Sequence, residues 1–154
     1  MELTHINDEG RARMVDVTDK DVTYRTATAS ATVNVAPSTM EIIRTGGIKK
    51  GDVLSVAQVA GIMAAKKTSD IIPMCHPLML SSMDIHFELN DTQVKIISTV
   101  KCRGVTGVEM EALTAVSTAA LTVYDMCKAV QRDITISDIM LLHKDGGKSG
   151  EFKR

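Results

Sequence analysis

Two alternating segments joined by a short polar turn restrict the possible folds more than any other feature of this chain. In "SMDIHFEL" (residues 82–89), Met83, Ile85, Phe87 and Leu89 alternate with polar residues, and Asn90-Asp91 then leads into "QVKIISTVKC" (93–102). A period of two around such a turn is typical of a β-hairpin with one buried face. The rest of the chain must therefore supply a layer that covers this face.

One strand and two helices are predicted before the hairpin. The segment "VTYRTATASATVNV" (22–35) alternates as a strand does, and Pro37 ends it. "STME" (38–41) has the form of a capping box, and it predicts a short helix that stops at Gly46-Gly47. Asp52 can cap a longer helix that ends no later than Pro73.

A long helix and a final strand are predicted after the hairpin. "TGVE" (106–109) is a second capping box that would begin a helix running to about Gln131, with Glu109 as its third residue, and "ITISDIMLL" (134–142) predicts a strand. The order β-α-β-β-α-β predicts an α+β fold, a ferredoxin-like sandwich with helices on one face of an antiparallel sheet. We expect one domain over residues 1–154, with an arm or loop at 1–20 and a flexible glycine-rich tail at 144–154.

Composition excludes several classes of partner. The 154 residues carry 18 Lys+Arg against 19 Asp+Glu, so the net charge of -1 offers no general attraction to nucleic acid or to an anionic membrane. Three widely spaced cysteines without a C-x-x-C pair favour neither a disulfide framework nor a thiolate zinc site. With no signal-like or membrane-spanning segment in the sequence, we expect a cytoplasmic protein without a tightly bound metal.

A polar stripe on the long predicted helix is the first candidate site. Glu111, Asp125 and the threonines between them fall on one side at about 100° per residue. A solvated face would explain the stripe, although threonine is a poor helix former for that purpose. Lys128 follows Asp125 by three residues, so the two could form a surface ion pair or work as an acid and a base.

The segment "MCHPLM" (74–79) is the second candidate. Pro73 and Pro77 predict an extended connection in which Cys75 is a small buried residue and His76 makes one hydrogen bond. A rigid loop of this kind could instead hold the imidazole towards a ligand. A metal site is disfavoured because no second pair of Cys or His has ligand spacing.

Long blocks of the sequence resemble one known family. "GDVLSVAQVAGIMAAKKTSDIIPMCHPLML", "GVTGVEMEALTAVSTAALTVYDMCKAV" and "LLHKDGGKSGEFK" are similar to the molybdenum cofactor biosynthesis protein MoaC, the cyclic pyranopterin monophosphate synthase, and the likeness runs from about Met14 to Lys153. The resemblance implies that 3′,8-cyclo-7,8-dihydroguanosine 5′-triphosphate is rearranged to cyclic pyranopterin monophosphate with release of pyrophosphate. It also implies a ferredoxin-like fold and a homohexamer, a trimer of dimers.

The resemblance also implies roles for particular residues. Asp125 and Lys128 match the catalytic aspartate and lysine of the family. The positions that match its substrate-binding residues are Arg25, Lys50, Lys66, Met74, Cys75, His76, Glu109, Met110, Glu111 and Lys144. For the lysines, the neighbours Lys49 and Lys67 leave the assignment open by one position.

The implied reaction suits these residue types. Its proton transfers and displacements need an acid and a base but no redox centre, and lysine and arginine can hold a triphosphate, which Mg²⁺ can accompany. Lys128 could serve as either acid or base if neighbouring lysines and partial burial lower its pKa, with Asp125 accepting or relaying the proton. Cys75 is expected to position the substrate, because nothing near it in sequence marks an activated thiolate.

Two further hypotheses and one geometric expectation follow. The chain could be an oligomeric ferredoxin-like module that binds a small ligand without chemistry, or a metal-binding protein that uses Cys75, His76, His86 and Cys102. Glu111 and Asp125 are 14 residues apart, or roughly 21 Å along one helix, so they should not meet at one ring system. If both act on the substrate, an isologous dimer must bring them together from two chains.

Overall fold

A computed structural model describes residues 4–154 of the chain, and so all but the first three residues of the predicted arm. Nine elements follow one another along the chain: β1 (Thr23–Asn34), α1 (Pro37–Thr45), α2 (Val53–Lys66), α3 (Thr68–Ile71), β2 (Leu80–Leu89), β3 (Gln93–Gly104), α4 (Glu109–Cys127), β4 (Thr135–Asp145) and β5 (Phe152–Lys153). Within this described part, no helix is long and apolar enough to cross a membrane.

The sheet has the strand order β2-β3-β1-β4-β5, and all its pairs are antiparallel. Its first four strands have the order of a ferredoxin-like sandwich, so the predicted α+β fold is confirmed. The hairpin prediction is also confirmed, since β2 pairs with β3 and Asn90 Oδ1 accepts hydrogen bonds from the backbone N–H groups of Thr92 and Gln93. This Asn side chain closes the turn together with the backbone hydrogen bond from Asn90 N to the Gln93 carbonyl.

Small side chains allow the helices to lie close to the sheet. Ala27, Ala29 and Ala31 of β1 are fully buried under α4, which presents further buried alanines towards them. Gly61 of α2 faces the backbone of Ala115 in α4, where an added Cβ would lie only 3.0 Å from the carbonyl oxygen. Close packing of this kind gives dispersion contacts that a larger residue would disrupt.

Two β-bulges change the direction of side chains along β4. The pairing of β4 with β1 shifts between Thr28 and Ala29 and again between Ser30 and Thr32. At the first shift Leu142 is the extra residue, and at the second Asp138 has a positive φ of 53°. Each bulge puts two residues opposite one and so reverses the alternation of faces.

The starts of the helices confirm one predicted side-chain cap and contradict two others. Asp52 caps α2 as predicted, because its Oδ1 accepts a hydrogen bond from Ser55 N at 3.0 Å. The two predicted capping boxes are wrong. Helix α1 follows Ala36 with Pro37 in its first turn, and α4 follows Val108, and neither start has a side-chain cap. Helix α4 also ends at Cys127, before the predicted Gln131.

Part of the glycine-rich tail pairs with the sheet. Strand β4 continues to Asp145, and residues 152–153 return as β5 to pair with His143 and Lys144. Gly146, Gly147 and Gly150 all have positive φ, which lets the connecting loop fold tightly between the two strands.

Candidate functional site

One end of the molecule contains a cavity of about 450 Å³ between the arm, the loop before β2 and the start of α4. Its wall includes six residues that the resemblance implied for substrate binding: Met74, Cys75, His76, Glu109, Met110 and Glu111. The prolines of the loop and the first turn of α4 bring these side chains together. The "MCHPLM" segment therefore lines a cavity, where the imidazole of His76 could contact a ligand.

Glu111 gives this cavity a buried carboxyl group. Its side chain is 4% exposed, and burial, with a smaller contribution from the negative charge of Glu109, raises its pKa. No other described side chain forms a hydrogen bond or ion pair with it. Its own backbone N–H bonds the carboxylate and partly offsets this rise. Because the carboxylate lines the cavity, it can receive further N–H donors from a ligand.

The neighbouring thiols stay protonated. Burial raises the pKa of Cys75, and the negative charge of Glu111 raises it further; burial likewise raises the pKa of Cys102. A thiol with a raised pKa is a poor nucleophile. This supports the expectation that Cys75 positions a ligand and does not attack it.

A second cavity of about 1010 Å³ adjoins the first and shares Lys20, Thr106, Gly107 and Glu109 with it. Its cationic wall comprises Lys20, Arg25 and Lys148. The Arg25 guanidinium donates to the carbonyl groups of Gly104, at 3.3 Å, and Gly146, at 3.4 Å. These bonds fix the orientation of a group that suits phosphate recognition.

Glu109 takes a different role from the one that its sequence position suggested. It is the first residue of α4, and its carboxylate turns back over Gly107 towards Lys144, whose Nζ lies 4.0 Å from Glu109 Oε1. The Lys144 ammonium also donates to the hydroxyl of Ser149 in the glycine-rich loop. Glu109 therefore belongs to a charged cluster beside the cavities, and the cap explanation is wrong.

The opposite end of α4 carries a second cluster. Asp125 Oδ1 lies 2.6 Å from Lys128 Nζ, and Asp125 Oδ2 lies 3.3 Å from Lys50 Nζ, which also donates to the Asp125 carbonyl at 2.9 Å. We call Lys50, Asp125 and Lys128 the lysine-aspartate cluster. Sequence left Lys49 and Lys50 as alternatives, and the structure brings Lys50 to this contact.

The pKa values in this cluster differ from the expectation. Hydrogen bonds from Lys128 and Lys50 lower the pKa of Asp125, and the bond to Asp125 raises the pKa of Lys128. The condition under which Lys128 could serve as a base, a lowered pKa, is not met in the single chain, because the Asp125 carboxylate outweighs the nearby lysine. Lys128 is a charged proton donor here, and Asp125 is an ionised acceptor.

Lys66, His86 and Cys102 are the remaining candidate residues. Lys66 is the last residue of α2, which runs antiparallel to α4, and it therefore lies towards the cavity end. His86 pairs with Ile97 and faces the side of the sheet away from the helices, whereas Cys102 is buried on the helix side. These two cannot share a metal ion, and residues 4–154 contain no group of three or more potential ligands suited to one.

Sequence reasoning missed several residues of the site. Lys20, Lys148 and Gly107 line the second cavity, and the Val15 carbonyl lies 2.7 Å from His76 Nε2. Nothing in the sequence indicated that the glycine-rich loop around Lys148 closes over Arg25. The Val15 contact spans 61 residues, and a backbone carbonyl leaves no sequence signal.

The fold and the positions of these residues define a class of protein: a ferredoxin-like α+β domain with two adjoining cavities at one end of α4 and a lysine-aspartate cluster at the other. The model of the MoaC family matches residues 14–147, nearly the whole chain. This chain belongs to the MoaC family, and the resemblance noted in its sequence is confirmed.

Several curated relatives are similar over their full lengths, and all of the following are named cyclic pyranopterin monophosphate synthase. The protein of Peptoclostridium acidaminophilum is 61% identical over 154 residues, covering 100% of this chain and 98% of its own. That of Thermoanaerobacter sp. (strain X514) is also 61% identical, over 100% of this chain and 99% of its own. The protein of Limosilactobacillus fermentum is 58% identical, over 98% of this chain and 92% of its own.

Proposed function

We propose that this chain converts 3′,8-cyclo-7,8-dihydroguanosine 5′-triphosphate to cyclic pyranopterin monophosphate and releases pyrophosphate. It is a lyase of molybdenum cofactor biosynthesis, as its relatives of about 60% identity over the full chain support. The observation that carries the proposal is that the residues implied by the family fall into two clusters, one suited to hold a charged nucleotide and one suited to move protons.

The two adjoining cavities suit the two parts of such a substrate. The guanine-derived ring has N–H donors that can satisfy the buried Glu111 carboxylate in the first cavity. The triphosphate fits the second cavity, where Lys20, Arg25 and Lys148 supply positive charge in a protein of net charge -1. Mg²⁺ would be held by the phosphates, and Asp19 and Asp21 add oxygen atoms to that wall.

The lysine-aspartate cluster supplies an acid and a base. The Lys128 ammonium carries a proton that it can donate, and the Asp125 carboxylate can accept one. Their contact favours these charged forms, and it also makes Lys128 a weaker acid and Asp125 a weaker base. Lys50 helps to hold the carboxylate in place. A non-catalytic binding module would have no need of this cluster, so the binding-module hypothesis is not favoured.

A complete site needs two chains. Glu111 and Asp125 lie 14 residues apart on α4, roughly 21 Å along its axis, too far for one ring system to touch both. We therefore propose that a two-fold axis brings the lysine-aspartate cluster of one chain to the cavities of a second copy, because α4 helices related in this way run antiparallel.

An exposed apolar face supports the two-fold contact. On the neighbouring helices α2 and α4, Val56, Val59, Met63 and Leu121 are 42%, 57%, 54% and 60% exposed. The half-buried threonines of the polar stripe lie beside them on α4. Large apolar side chains gathered on one face mark a protein contact. Assembly of such dimers into a homohexamer is a further proposal that rests on the family resemblance.

A direct assay tests the reaction. Purified protein is incubated with the cyclic dihydro-GTP intermediate, and pyrophosphate is measured. Lys128→Ala should abolish release while substrate binding persists. Lys95→Ala is a matched control, because Lys95 pairs with Glu88 on the side of the sheet away from the helices. Full turnover by Lys128→Ala, or none by the unmodified protein, would contradict the proposal.

Subunit mixing tests the shared site. Glu111→Ala and Lys128→Ala chains are each expected to be inactive, and exchange of subunits between them should regenerate some intact sites. Activity above both parents supports the two-chain site. A fully exchanged mixture as inactive as its parents would refute it, as would a monomer with full turnover.

The location of the enzyme is also a proposal. Cys75, Cys102 and Cys127 are all unpaired thiols, which supports a reducing compartment and so the cytoplasm.

A further inference from the structure

The arm before β1 forms one wall of the first cavity. Val15 and Val17 line it together with Met74, His76 and Glu111. The resemblance implied no role for any of the arm residues, and the sequence predicted only a loop there. The arm is nevertheless placed where it can act on the site.

The arm has local structure of its own. The Asn7 side chain accepts hydrogen bonds from the backbone N–H groups of Glu9 and Arg11, and Ile6 bridges to Ala12 across this turn. Further along, Asp16 Oδ1 accepts bonds from both the N–H and the hydroxyl of Thr18. These bonds fix the chain on both sides of Val15 and so fix the direction of its carbonyl group.

That carbonyl determines where the proton of His76 resides. The Val15 oxygen lies 2.7 Å from His76 Nε2, a hydrogen-bond distance. A carbonyl oxygen can only accept, so Nε2 must carry the hydrogen atom. In a neutral imidazole the other nitrogen, Nδ1, then keeps its lone pair. No described residue forms a hydrogen bond with Nδ1.

We propose that the Val15 carbonyl is a positioning group that holds His76 in the Nε2–H form, so that Nδ1 accepts a hydrogen bond from an N–H or O–H group of the ligand. This inference rests on the proposed function for the identity of the ligand. Glu111 offers a second acceptor in the same cavity. Two acceptors select a ligand edge that is rich in donors, as the edge of a guanine-derived ring is.

The tautomer can be measured without substrate. Nitrogen-15 NMR of imidazole-labelled protein distinguishes Nε2–H from Nδ1–H rings, and His76→Gln identifies the signals of His76 among those of the other histidines. We expect the Nε2–H form in the unmodified protein. A ring in the Nδ1–H form, or an even mixture of the two tautomers, would overturn the proposal.

Two truncated chains test the part played by Val15. The first begins at Met14, so it loses the turn around Asn7 and keeps the Val15 carbonyl. The second begins with an initiator methionine in place of Val17, so it loses that carbonyl. Circular dichroism melting establishes that each is folded. If the second chain does not fold, an Nδ1–H ring in the unmodified protein would still overturn the proposal.

The truncations should differ in both tautomer and affinity. We expect Nε2–H in the first chain, mixed tautomers in the second, and a KM about three- to tenfold higher in the second, which is the range for loss of one hydrogen bond. Equal tautomers and equal KM values would overturn the proposal. If the unmodified protein shows the Nε2–H form but no turnover, the proposed function fails and the positioning role of Val15 stands.

Discussion

The contact between α2 and α4 predicts a measurable response to one added methyl group. Gly61→Ala would place a Cβ atom 2.3 Å from Ile85 Cδ1, 3.0 Å from the Ala115 carbonyl oxygen and 3.4 Å from Ala119 Cβ. Ile85 is 4% exposed, so its methyl group has little space into which it can move. The Ala115 oxygen belongs to a helix backbone and can move only with α4.

Two opposing effects set the size of the response. Alanine is favoured over glycine within a helix by about 1 kcal/mol. Overpacking a filled core costs about 1–3 kcal/mol, and a contact of 2.3 Å together with a backbone contact belongs in the upper part of that range. We expect the free energy of unfolding to fall by about 1–2 kcal/mol, which lowers Tm by roughly 2–8 °C for a domain of this size.

A second substitution makes the reasoning testable. Ile85→Val removes the Cδ1 atom and by itself should cost about 0.5–1.5 kcal/mol. If the clash causes the loss, the double variant should be more stable than the sum of the single effects by about 1 kcal/mol. Urea unfolding at one fixed protein concentration measures all four proteins. Additive effects, or a Gly61→Ala variant as stable as the unmodified protein, would refute the reasoning.

Four further outcomes are expected. Burial raises the pKa of Glu111, so ionisation of this carboxyl group lowers the free energy of unfolding. This cost is absent at acidic pH and grows as pH rises above the ordinary glutamate range. Glu111→Gln should therefore raise Tm at neutral pH but not at acidic pH, and it should abolish turnover. Lys50→Ala or Lys66→Ala should weaken substrate affinity and its salt dependence in binding assays without lowering Tm, and unchanged binding in both would contradict their assignment. Gly107→Ala would place a Cβ 1.9 Å from Glu109 Oε2, so circular dichroism should show an intact fold but pyrophosphate release should fall at least tenfold. Chelation should leave Tm unchanged, whereas about one tightly bound zinc per chain in elemental analysis would show the prediction of a metal-free protein to be wrong.

Elements whose causes are local in sequence could be predicted correctly. The β2–β3 hairpin follows from alternation and from the Asn90 turn, and the start of α2 follows from the Asp52 cap. The two capping-box predictions were wrong because other contacts of the same residues determine where each helix begins. Pro37 already fits the first turn of α1, and Glu109 is drawn back towards Lys144 across the sheet.

Contacts between distant residues could not be predicted from the residues alone. Lys50 reaches Asp125 across 75 residues, and the glycine-rich loop closes over Arg25 across 121 residues. No periodicity or spacing reports such contacts, because they depend on how α2 and α4 pack and on where β5 returns. Resemblance to a family named Lys50 and Arg25 as candidates, and the structure supplies what they touch.

The two bulges of β4 have a consequence for anyone who aligns or redesigns this strand. In an unbroken strand, odd and even positions mark opposite faces, and Lys144 would then share a face with Leu142 and Met140. The extra residue at 142 instead pairs Lys144 with Ala27, on the helix side, and Met140 with Ser30, on the other. A variant that lacks Leu142 would form a regular ladder and still present Lys144 to the site. Strand β4 can therefore lose this one residue, and the other side chains still face the same sides of the sheet.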